Sequence, residues 1–146
     1  MKRKSVSLFL FIIAVFFAVA CGKVDSSVNP ETVIASVEKT TEDLVVIKVD
    51  TAGDCEYLVD IMAYLQDKEA LTFTTDGAGM VSGINGQTNP ADFSCCWMLY
   101  TSDTELSNAA WGTVSVDGVT YQSAAFGAEA LPVADGTYYV WQYRKF

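Results

Sequence analysis

A chain of 146 residues, 51% hydrophobic, with no histidine and a net charge of −9, has the length of one modest domain behind any leader. The missing histidine removes the usual general base, the Ser-His and Cys-His pairs and most zinc sites, and there is no Cys-x-x-Cys motif. The acidic balance repels phosphate backbones and anionic lipid surfaces, which argues against nucleic-acid binding.

The first twenty residues read as a signal peptide. Lys2, Arg3 and Lys4 make a positive start, residues 8–17 are an apolar run, and Ala18-Val19-Ala20 precede Cys21-Gly22. The run is shorter than the roughly 20 apolar residues of a spanning helix. It is also apolar on every side, unlike a helix that buries one face. Cys21 after small residues resembles the lipobox of bacterial lipoproteins, in which that Cys is diacylated and becomes the new N-terminus; Ala18 stands where the pattern prefers Leu. Ala18-Val19-Ala20 equally satisfies the small-x-small rule of ordinary signal cleavage. The lipobox reading is favoured. It implies acyl chains such as palmitate on Cys21, a protein held on the extracellular face of the cell membrane, and a tether over 21–41. Beyond residue 20 lie all eighteen acids but only six of the nine bases, a balance of −12. Membrane attachment would therefore come from the lipid and not from surface charge.

Residues 42–146 are expected to fold as one domain. Val33, Ile34 and Val37 carry some strand character within the tether, and 44–49 (Leu-Val-Val-Ile-Lys-Val) is the first clear strand. Asp54 is the expected N-cap of a helix over 55–66, with Glu56 suiting its dipole. Leu58, Ile61, Met62 and Leu65 fall at i, i+3, i+4 and i+7, and Cys55 extends that stripe by a turn. Strands are expected at 71–74 and 80–84, joined by the turn Asp76-Gly77-Ala78-Gly79. That turn has neither the Lys nor the following helix of a phosphate loop. Asn85-Gly86 is a strong turn signal, extended by a loop to Pro90.

The segment 94–101 (Ser-Cys-Cys-Trp-Met-Leu-Tyr-Thr) is apolar in both registers. A strand with one wet face would alternate apolar and polar, so this one is expected to be central, with both faces covered. A short helical turn is expected within 101–110, a hairpin over 113–121 around Asp117-Gly118, a loop over 127–136, and a closing strand over 138–143. One helix against such strands predicts an α+β fold: a small, mostly antiparallel sheet with one packed helix, β-grasp-like. Cys95 and Cys96, neighbours on a strand, point to opposite faces, so at most one can meet Cys55. A disulfide of Cys55 with Cys95 or Cys96 stands beside the alternative of three small buried hydrophobes.

Three segments together resemble the transcobalamin-like C-terminal domain, found in cobalamin carriers and alone in Gram-positive surface lipoproteins. They are Met80-Val-Ser-Gly-Ile-Asn-Gly86, Cys96-Trp97-Met98-Leu99-Tyr100, and the closing run from Gly127 through Leu131 and Asp135-Gly136 to Trp141-Gln142-Tyr143. The likeness covers about residues 44–143. Thr101-Ser102-Asp103-Thr104 replaces the family's Val-Asn-Gly, and the segment from Tyr100 to Gly127 is longer than its short form. In the carriers this domain is one lid of a cobalamin site whose other lid is a separate helical domain. The resemblance implies a non-catalytic module for cobalamin or another corrinoid, with Trp97 and Leu99 on the ligand-proximal strand and Trp141 on the closing one. Trp111, from the longer segment, is added as an exposed contact; for Trp97 and Trp141 a role as core pillars is the competing reading. No cofactor beyond such a ligand and no enzymatic activity are expected. The alternative function is an adhesion or scaffold module that binds a protein or cell-wall polymer through edge strands and the Trp111 segment.

Overall fold

The computed structural model describes residues 32–146. The expected signal peptide, lipidation at Cys21 and the first part of the tether lie outside the described residues. Val45, Ile47 and Val49 on one face of Leu44–Thr51 (β2) are fully buried, and Val46 on the other face is buried as well. β2 pairs on one side with Ile34–Thr40 (β1) and on the other with Thr137–Lys145 (β9). The last part of the expected tether thus forms an edge strand.

Cys95–Thr101 (β6), Ser107–Val116 (β7) and Val119–Ala124 (β8) complete a six-stranded antiparallel sheet of order β1-β2-β9-β6-β8-β7. Phe73–Thr75 (β3), Val81–Ile84 (β4) and Gln87–Thr88 (β5) form a smaller sheet beside it. Leu58–Asp67 (α1) is the one α-helix among the described residues. The architecture is α+β: mostly antiparallel sheet with a single short helix.

As its two apolar registers require, β6 lies inside the larger sheet with cover on both sides. Trp97 and Leu99 share a core with Leu58, Ile61, Met62 and Leu65 of α1. Tyr100 joins Val46 and Val140 in a second core, roofed by Val114, Val116 and Tyr121. The roof is the outer half of the β7–β8 hairpin. Between Asn108 and Thr113 the register slips, leaving residues 109–112 of β7 without partners on β8. Gly112 sits there at φ 126°, a backbone region open mainly to glycine, and the bulge adds the twist that lets the hairpin curl over the sheet. Burial of each such side chain contributes about 1.5–3 kcal/mol.

Both predicted two-residue turns form with left-handed φ: 48° and 84° at Asn85-Gly86, and 50° and 83° at Asp117-Gly118. Other expectations need correction. The helix begins at Leu58, with Tyr57 and not Asp54 as its N-cap. Long-range bonding decides this: the Leu58 and Val59 N–H groups donate to the carbonyls of Leu131 and Ala128, each at 3.0 Å. The Asp60 carboxylate accepts from the N–H groups of Glu56 and Tyr57 at 3.0 and 2.9 Å. Cys55 is buried just ahead of the helix, so it extends the core but not the helix. No helical turn forms in 101–110. The Asp103 carboxylate takes the N–H groups of Glu105 and Leu106 at 2.9 and 3.3 Å, and β7 starts at Ser107.

Candidate functional site

Trp97 is the most heavily fixed side chain of β6. Its indole N–H donates to the Gln87 carbonyl at 2.8 Å, and its backbone N–H donates to Asn89 Oδ1 at 3.0 Å. Its ring tilts at 58° against Tyr143, centroids 5.4 Å apart, and the Tyr143 hydroxyl donates to the Thr88 carbonyl at 2.9 Å. The small sheet is thereby clamped to the large one at this point. Leu99, two residues on, stands opposite Trp141 of β9.

These three residues line one groove of about 500 Å³ on the α1 side of the sheet. That lies within the 300–1,000 Å³ usual for small-molecule sites. Trp97, Leu99 and Trp141 are buried at 5%, 8% and 4% exposure and make its floor. The two tryptophans are core residues, and both also line the groove. The walls are the turn after β3 and the segment after β8. They bring Met80 and Phe126 to the mouth at 46% and 50% exposure. The Trp141 indole N–H is buried and has no hydrogen-bond partner. Glu129 lies where the two walls meet: a Cβ built on Gly79 would overlap its carboxylate.

Trp111 is not part of this arrangement. It sits on the β7 bulge at 62% exposure, as expected for its accessibility, but in a strand and away from the groove lining. Met80, Phe126 and Glu129 escaped the reading of the sequence. The available signal was two large apolar residues each beside a turn glycine, Met80 after Gly79 and Phe126 before Gly127, where turn chemistry normally selects polar side chains.

Of the two readings of the cysteines, a disulfide or three small buried hydrophobes, the structure takes the second in part: Cys55, Cys95 and Cys96 are free thiols, Cys55 buried and the other two half-buried. Cys55 lies in the core beneath α1. Cys96 points to the other side, its Sγ 3.7 Å from the sulfur of Met98, which packs against the hairpin-side core. Burial pushes the Cys55 thiol up, helped by the nearby Asp60 and Asp54, and pushes Cys96 up, helped by Cys95. Such thiols are poor nucleophiles at neutral pH. Among the described residues no three His, Cys, Asp or Glu side chains gather as a metal site. No family model matches the chain, and no curated protein or solved structure matches it.

Proposed function

We propose that this domain is a non-catalytic binding module that takes a small amphipathic ligand in the groove over Trp97, Leu99 and Trp141, on a protein anchored by lipid at Cys21 to the extracellular face of the cell membrane. The observation that carries this is the convergence of those three residues on one apolar groove with exposed Met80 and Phe126 at its mouth. Cobalamin or another corrinoid is the first ligand to test, supported by the resemblance of three segments to the transcobalamin-like C-terminal domain. In that reading the helix-and-sheet arrangement is of the β-grasp-like, transcobalamin type. A corrinoid exceeds the groove, so one edge of it would rest on the floor while the remainder stays wet or meets a partner. The experiment is titration of the purified protein with cobalamin and cobinamide, followed by corrin absorbance and tryptophan fluorescence. A saturable change that Met80→Ser and Phe126→Ser weaken supports the proposal; no change at millimolar ligand ends the corrinoid assignment.

A second reading, adhesion or scaffolding through a protein or wall polymer, is favoured by Trp111, whose indole stands out from the bulged edge strand. Binding to a wall-polymer preparation that Trp111→Ser abolishes, and Phe126→Ser leaves intact, would establish it. Retention of binding by Trp111→Ser would remove it.

A further inference from the structure

The groove carries a charge signature that narrows its ligand. Its lining contains one ionisable side chain, Glu129, and neither lysine nor arginine. Among the described residues Glu129 joins no salt bridge and no hydrogen bond, so its charge is uncompensated by the protein. Glu129 is exposed, and its carboxylate lies over the backbone at Gly79, which has φ 83° and no Cβ to obstruct it. The carboxylate thus lies at the junction of the two walls.

Around it the mouth offers the exposed ring of Phe126 and the thioether of Met80, with two indoles below. Aromatic faces and a polarisable sulfur tolerate a weakly hydrated cation, and an aromatic face attracts one. The rest of the domain acts in the same direction: residues 32–146 hold sixteen acids against five bases. This field raises the local concentration of cations and repels anions.

We propose that the groove selects an apolar organic cation, its ammonium-type group placed at the mouth by Glu129 and Phe126 and its hydrocarbon part lying over Trp97, Leu99 and Trp141. The inference rests on the groove being the ligand site and adds to it the charge of the ligand. A carboxylate, phosphate or sulfonate amphiphile of equal size, with its anionic group at the mouth, binds more weakly than the cation or an uncharged counterpart.

The test uses three matched probes on the purified full chain: a phenylalkyl trimethylammonium, its uncharged isostere with carbon in place of nitrogen, and the phenylalkyl carboxylate. Binding is read by tryptophan fluorescence and by calorimetry at low and high salt. The expected result is an affinity order of cation, neutral, anion, with the cation about three- to tenfold tighter than the neutral probe. Glu129→Gln, an exposed substitution that leaves the core untouched, should shrink that ratio and leave the neutral probe's affinity unchanged. Equal binding of cation and neutral probe, or a ratio that Glu129→Gln does not alter, overturns the charge selectivity while leaving the groove as a site. Failure of all three probes to bind overturns both.

Discussion

Lys39 Nζ reaches both carboxylate oxygens of Asp117, at 2.9 and 3.1 Å, although the two residues lie 78 positions apart. Lys39 is on β1, at one edge of the large sheet. Asp117 is the turn of the hairpin that hangs from the other edge. Their contact shows how far the hairpin has folded across the face opposite α1.

The ion pair marks this closure but does not cause it. Its side chains are 40% and 75% exposed, and exposed pairs contribute about 0–1 kcal/mol. Lys39→Ala should therefore lower stability by less than about 1 kcal/mol in chemical denaturation. Val116→Ala, which opens the roof over Tyr100 and Val140, should cost about 1–3 kcal/mol. A larger loss from Lys39→Ala than from Val116→Ala would contradict this ordering.

Gly112 tests the bulge separately from the roof. A Cβ added there would meet only Arg144 Nη1, at 3.8 Å, so space is ample. The cost of Gly112→Ala comes instead from φ 126° and should be about 1–3 kcal/mol. Because the bulge directs the hairpin, its near-ultraviolet circular dichroism should change with it, through the Tyr121–Tyr138 ring pair at 6.3 Å. An unchanged spectrum and unchanged stability would mean that the bulge is dispensable.

Gly79→Ala bears on the mouth of the groove. The new methyl group would occupy the place of the Glu129 carboxylate, so the side chain must swing away. The variant should reproduce the loss of cation preference expected of Glu129→Gln, together with about 1 kcal/mol of backbone strain from φ 83°. Intact cation preference in this variant would show that the position of Glu129 is immaterial.

The buried thiol of Cys55 gives stability a dependence on alkaline pH. Its ordinary value is 9.0, and burial raises it in the folded state. The neutral thiol is the form the core accommodates. Stability from this group is thus full below 9.0 and declines as the pH rises through the higher folded value. Tyr139, also raised by burial from 10.0, adds a decline further up. Thermal midpoints should be level from neutral pH to about 8.5 and fall beyond it. The first part of the fall should be reduced in Cys55→Ala. Equal falls in both proteins would assign the effect to Cys96, whose thiol burial also raises, and to Tyr139 and the other raised tyrosines.

What the sequence disclosed, and what it withheld, follows the range of the forces involved. β6 was legible because burial of both faces is written in consecutive residues. So were the turns at Asn85-Gly86 and Asp117-Gly118, where local backbone preference decides. The helix start was not, since Asp54 carries the local cap signal while the carbonyls of Ala128 and Leu131, some seventy residues away, take the first free N–H groups. β1 was only hinted at, because an edge strand needs few apolar residues. Of the site, the floor at Trp97, Leu99 and Trp141 was legible as apolar strand residues. Met80, Phe126 and Glu129 come together only when two turns distant in sequence are brought to the same rim.

The register of the large sheet also sets a direction. Trp141 stands level with Leu99 and Val45, whereas β1 starts at Ile34, level with Thr51. Those two rows are six residues apart along β2, about 20 Å at the rise of a strand. The chain enters the domain at one end of the sheet and the groove lies towards the other. Under the proposed anchorage at Cys21, the groove would face away from the end at which the chain enters the sheet, where a solute or a neighbouring protein could approach it.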